Sequence, residues 1–82
     1  MMDQRKITEE AIGFVSEQIA LSPEKILPDQ ELKTLGLDSF RIIELVLFLE
    51  RKTGLSFPDH AYTPENLRSL NSIVTCFMNL KR

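Results

Sequence analysis

The chain has 82 residues, of which 43% are hydrophobic and 27% charged, with a formal net charge of -2 and a pI of about 5.3. A domain of this size buries only about 60% of the surface its unfolded chain exposes, so one small core and a simple fold are expected over residues 1–82. The mild acidity offers no broad basic field for nucleic acid, and no window approaches the ~20 apolar residues of a membrane span.

The opening MMDQRKITEE is charged and lacks the apolar stretch of a secretory signal. A single cysteine, Cys76, forms no internal disulfide. Both features fit a cytoplasmic protein. The first predicted helix runs from Asp3 to Ala20, with Ile7, Ala11, Phe14 and Val15 on one face and Ile12 and Ile19 at its edge. Asp3 is its candidate N-cap. Gly13 sits inside the pattern at a cost of about 1 kcal/mol against Ala, which a close approach by another helix would explain.

Ser22-Pro23-Glu24-Lys25 starts one further turn, since Ser caps and Pro suits a first helical position; Pro28 stops it. Residues Leu21 to Leu37 then form a long connection with apolar anchors at Ile26, Leu27, Leu32, Leu35 and Leu37. A loop of this length packs against its neighbours rather than hanging free.

The next helix is predicted from about Ser39 to Lys52, capped by Asp38 or Ser39 and ended by Gly54. At roughly 100° per residue, Ile42, Leu45, Val46 and Leu49 form its core stripe. Phe40, Ile43 and Leu47 gather on the other side, beside Glu44, Glu50 and Arg51. A helix that buries one face has no structural need for this second stripe, so it reads as a partner surface. Leu55 to Asp59 is an extended link, because Pro58 disfavours helix at Phe57. Thr63-Pro64-Glu65 predicts a short helix. Ser69 caps a last one from Leu70 to about Leu80, with Leu70, Ile73, Val74 and Phe77 on the buried face and Leu80 at its end. The expected architecture is all-α: a small four-helix bundle of three major helices and one short one, with a long loop after the first.

Chemistry concentrates at Asp38-Ser39. A Ser hydroxyl at a helix start is exposed, and the free N–H groups there favour an attached phosphate. Ser39 is a poor nucleophile as it stands, because nothing positions His60, the only histidine, as its base. Chemistry is therefore done to Ser39 rather than by it. From these two residues alone, an ordinary helix cap is the competing reading. Cys76, between Val74 and Phe77 of an amphipathic helix, reads as a half-buried structural cysteine.

The stretch Leu35-Gly36-Leu37-Asp38-Ser39-Phe40, followed by Glu44-Leu45-Val46 and one helix later by Phe57-Pro58-Asp59, resembles the acyl carrier protein family, which includes the peptidyl carrier domains of nonribosomal synthesis. The resemblance covers about Ile7 to Leu80, and its most specific part is the Gly-x-Asp-Ser-hydrophobic motif opening an apolar helix. It implies a non-enzymatic, free-standing, monomeric carrier. Ser39 matches the serine to which a phosphopantetheinyl transferase links the phosphopantetheine arm of coenzyme A, and the arm's thiol holds an acyl or aminoacyl group as a thioester. Asp38 matches the aspartate that helps the transferase position its metal and substrate. Phe40, Ile43, Glu44 and Leu47 match the face that docks onto partners: the transferase, an acyl- or aminoacyl-loading enzyme, and a downstream synthase or transferase. Carriers of primary fatty acid synthesis follow the serine with a strongly acidic helix, whereas this one has Arg41 and ends Glu50-Arg51-Lys52. The departure points to a polyketide, nonribosomal peptide or dedicated acyl or aminoacyl pathway. His60 to Arg68 is also longer than the family's usual spacing. A cargo retreating into the bundle would be lined by Ile42, Val46, Phe57, Leu67 and Ile73. Without the arm, the same chain would be a helical protein-interaction module that binds through Phe40, Ile43 and Leu47.

Overall fold

Three amphipathic helices build the molecule, and each starts where a side chain caps it. The computed structural model describes residues 3–80, so the two residues at each end of the expected domain lie outside the described residues. In α1, Gln4–Ile19, the Asp3 carboxylate accepts the Lys6 N–H at 2.9 Å. In α2, Ser39–Thr53, Asp38 does the same for the Arg41 N–H, also at 2.9 Å. In α3, Leu70–Leu80, Ser69 accepts from the Ser72 N–H while the Ser72 hydroxyl accepts from the Ser69 N–H, a reciprocal box that satisfies two free donors. Gly54 ends α2 in the left-handed region at φ 74°. Ala20 ends α1 at φ 55°, a conformation its Cβ disfavours and no glycine signalled.

The core follows the stripes. Ile7, Ala11 and Val15 of α1 meet Ile42, Leu45, Val46 and Leu49 of α2 and Leu70, Ile73, Val74 and Phe77 of α3. Ile26, Leu32 and Leu37 of the long connection close one end. Phe57 closes another: its N–H donates to Glu50 Oε2 at 2.6 Å, and its ring packs against Tyr62 and Phe77 at 4.9 and 5.3 Å. Phe14 lies at the edge of the α1 face, half-buried and stacked on Phe48 at 4.7 Å.

The all-α class stands, with three corrections of detail. The fourth helix expected at Thr63-Pro64-Glu65 is only a turn. Thr63 does cap it, accepting the Asn66 N–H at 3.2 Å, and the Leu67 N–H reaches the Thr63 carbonyl at 3.0 Å. The Arg68 carbonyl, however, is taken by the Leu32 N–H at 2.8 Å and Ser69 already caps α3, so no room remains for a second turn. The turn expected from Ser22-Pro23-Glu24-Lys25 forms as a 3₁₀ turn at Pro23–Lys25, and further 3₁₀ turns stand at Leu32–Leu35 and Asp59–Ala61. Leu27 is no anchor, being 60% exposed. Ile26 beside it is extended and buried, and successive residues of an extended chain face opposite ways. Nothing approaches Gly13: a Cβ there meets no atom within 4 Å.

Candidate functional site

The site is assembled by the turn before α2. The 3₁₀ turn Leu32–Leu35 ends on Gly36 at φ 97°, a left-handed conformation that favours glycine. Leu37 then turns inward, buried, with its N–H on the Leu32 carbonyl at 3.2 Å. Asp38 and Ser39 are thereby brought to the surface at the start of α2. Of the two residues offered as its cap, Asp38 is the one that caps. Ser39, the first helical residue, is exposed, and its hydroxyl makes no hydrogen bond to any described residue. It faces solvent beside the unsatisfied N–H groups of the first turn, which favour an anion.

A groove of ≈ 530 Å³ opens beside Ser39. Ile42, Ile43 and Leu67 give it an apolar floor, Tyr62 to Glu65 and Arg68 form one wall, and Glu31 and Lys33 border it from the long connection. Arg68 pairs with Glu31 at 3.0 Å across this border. Tyr62 keeps its phenol protonated more firmly than usual, because burial and then the carboxylates of Glu50 and Asp59 disfavour the phenolate. Of the five residues expected to line a cargo pocket, Ile42 and Leu67 border this groove, whereas Val46, Phe57 and Ile73 are closed into the core. The polar members of the groove were not foreseen. The Thr63-Pro64 cap signal marked their neighbourhood, but no local pattern says that this segment lies against Ser39.

On the outer side of α2, Phe40, Ile43 and Leu47 are 68, 41 and 43% exposed, with Glu44 half-buried among them. Three large apolar side chains are thus left in water along one helix, outside the folded core. The charges around them are mixed. Lys52 pairs with Glu10 at 3.7 Å, Glu50 is engaged by the Phe57 N–H, and Arg41 donates to the Gln18 side chain on α1. His60, exposed in its 3₁₀ turn, does not border the groove. Cys76 is half-buried and burial pushes its thiol up, away from the reactive thiolate. No helix among the described residues is long and apolar enough to cross a membrane.

Residues 10–77 match the family model of the phosphopantetheine attachment site. An acyl carrier protein of Campylobacter hominis is 35% identical over 78 residues, covering 94% of this chain and 96% of that protein. Aminoacyl carrier protein 2 of Bradyrhizobium diazoefficiens is 34% identical over 68 residues, 83% of this chain and 75% of that one. Among solved structures, a chain in the crystal structure of Bradyrhizobium japonicum glycine:[carrier protein] ligase, complexed with its cognate carrier protein and an analogue of glycyl adenylate, superposes with a TM-score of 0.73. That match has 25% identity and covers 93% of this chain and 96% of that one. The group named by the family model fits the residues present. A phosphodiester needs an exposed hydroxyl near free N–H donors, and a flexible arm needs a groove to lie in; Ser39 offers the first and the ≈ 530 Å³ groove the second.

Proposed function

Since the chain belongs to the phosphopantetheine attachment family of carrier proteins, we propose that Ser39 receives the arm and that the protein serves a specialised acyl or aminoacyl pathway. Its cofactor is covalent phosphopantetheine, whose thiol holds the carried group as a thioester, and the protein catalyses no step itself. In the attachment, a phosphoester forms to Ser39 Oγ, the pyrophosphate bond of coenzyme A breaks, the nucleotide bisphosphate leaves, and the serine proton passes to the transferase. Asp38 supports this twice. It holds the first turn of α2 through the Arg41 N–H, and it immediately precedes Ser39 in the chain. The observation that carries the assignment is the exposed Ser39 hydroxyl at the head of α2, beside a groove and an apolar face.

The names of the relatives span acyl and aminoacyl carriers, so the charge of α2 bears on the choice between pathways. With Lys52 paired to Glu10, α2 carries Arg41 and Arg51 against the carboxylates of Glu44 and Glu50, a balanced rather than an acidic helix. A partner built to grip an acidic helix finds no acidic stripe there, and a partner with an uncharged rim around an apolar pocket is favoured. An enzyme that activates its acid as an adenylate, of the kind named for the structural neighbour, is the proposed loading partner. Phe40, Ile43, Glu44 and Leu47 are the proposed docking residues, and one domain acting as a monomer is the proposed unit.

The test is intact mass after incubation with coenzyme A, magnesium and a broad-specificity phosphopantetheinyl transferase. One phosphopantetheine is expected on the wild type and none on Ser39→Ala. No gain on the folded wild type would overturn the assignment and leave a helical docking module.

A further inference from the structure

A phosphodiester on Ser39 places a negative charge where an acid already stands. Asp38 immediately precedes Ser39 and is exposed, its carboxylate accepting the Arg41 N–H at 2.9 Å. Like charges on neighbouring residues repel, and a cation beside them relieves the repulsion. The free N–H groups in the first turn of α2 supply part of that relief. Which side chain supplies the rest follows from what each nearby cation is doing. Arg41 donates to the Gln18 side chain on α1 and does not border the groove. Arg68 borders the groove but pairs with Glu31 at 3.0 Å. Lys52 pairs with Glu10 at 3.7 Å, near the other end of α2.

Lys33 is different. Among the described residues that border the groove, it is the one cation whose side chain makes no ion pair and no hydrogen bond. It is exposed on the 3₁₀ turn Leu32–Leu35, and that turn folds the chain back toward Ser39. The Lys33 carbonyl accepts the Gly36 N–H at 3.1 Å, and the Leu32 carbonyl beside it accepts the Leu37 N–H at 3.2 Å. The remaining carboxylate of the groove, Glu65, comes from the separate wall that Tyr62 and Thr63 begin. An ammonium on a flexible stem suits a point-charge contact with a phosphate oxygen, because any of its three donors can meet it.

On the reading of Ser39 as the attachment residue, we propose that Lys33 is a positioning residue for the arm, its ammonium holding the phosphodiester on the groove side of Ser39. This leaves Phe40 and Leu47, which do not border the groove, open to a partner. The test compares the full-length protein before and after attachment, with the arm's thiol free, in wild type, Lys33→Gln, Lys33→Arg and Arg41→Gln. Intact mass verifies each product, and carbon-13 spectra of lysine-labelled wild type follow the side chains. Attachment is expected to move the Lys33 Cε resonance and to leave those of Lys6, Lys25 and Lys52, which do not border the groove, in place. Before attachment, Lys33→Gln is expected to melt with the wild type, since it removes no contact. After attachment it is expected to melt about 2–4 °C below the wild type at low salt, with the gap closing at about 1 M salt. Lys33→Arg keeps the charge and is expected to stay with the wild type in both forms. An unmoved Lys33 resonance, a Lys33→Gln loss of the same size in both forms, or an equal loss confined to the modified form of Arg41→Gln would overturn the proposal, while the mass gain left the Ser39 assignment standing. Absence of any mass gain on folded wild type would bring down the attachment reading and this inference with it.

Discussion

The three glycines provide a test in which backbone conformation acts alone. A Cβ built at Gly13, Gly36 or Gly54 meets nothing within 4 Å, so replacement by Ala adds no clash and no contact at any of them. Only the backbone differs. Gly13 lies within α1 in helical conformation, where Ala is better by about 1 kcal/mol. Gly36 and Gly54 stand at φ 97° and 74°, where a Cβ costs about 1–2 kcal/mol. Gly13→Ala is therefore expected to raise the melting temperature by about 4–8 °C, and Gly36→Ala and Gly54→Ala to lower it by similar or larger amounts. In urea, with a slope of about 1 kcal/mol/M for so small a domain, the midpoints of Gly13→Ala and Gly54→Ala are expected to stand about 2–3 M apart. Equilibrium unfolding of the unmodified protein, followed by far-ultraviolet circular dichroism, reads this directly. Three variants shifting in the same direction, or a destabilised Gly13→Ala, would refute the account of all three positions. Gly36→Ala also probes function, because the turn it closes presents Asp38 and Ser39.

Removing the cap with Asp38→Ala is expected to cost about 1 kcal/mol in urea unfolding, whereas Asp38→Asn keeps the acceptor and stays near wild type. Both are expected to slow phosphopantetheine transfer, which separates the charge from the cap; an Asp38→Asn protein modified at the wild-type rate would show that the cap is all Asp38 supplies. Ile43→Asp is expected to change stability by no more than about 0.5 kcal/mol, since the side chain is 41% exposed, but to weaken productive docking at least tenfold, about 1.4 kcal/mol. Steady-state transfer to the variant measures this, and unchanged kcat/KM would remove the face from the docking surface. Burial raises the Cys76 thiol, so at any given pH its thiolate fraction is smaller than that of a free thiol. Mass-resolved alkylation, at about pH 8, of the protein bearing the phosphopantetheine arm with its thiol free is expected to label the arm before Cys76, with Cys76 catching up as pH rises. Equal rates throughout would contradict the burial argument.

Much of the molecule was written locally. Asp3, Asp38 and Ser69 announce helix starts because a capping side chain bonds a donor only three residues away, and Gly54 announces an end because a left-handed residue favours glycine. The stripes of Ile42, Leu45, Val46 and Leu49, and of Phe40, Ile43 and Leu47, were separable because a helix of regular period sorts its residues onto faces before it meets any neighbour. The motif around Ser39 is likewise contiguous, and so is the family it resembles. Other features depended on segments far apart in the chain. Whether Thr63-Pro64-Glu65 continued as a helix was decided by Leu32, whose N–H claims the Arg68 carbonyl. That Leu27 faces water while Ile26 is buried depended on which side of the connection met the core. The groove draws Glu31 and Lys33, Ser39, Ile42 and Ile43, and Tyr62, Leu67 and Arg68 from three separate stretches, and Leu67 packs there against a core built largely by residues distant in sequence. Propensity and capping act over a few residues and are legible in order; enclosure is a property of surfaces meeting, and only the tertiary fold brings those surfaces together.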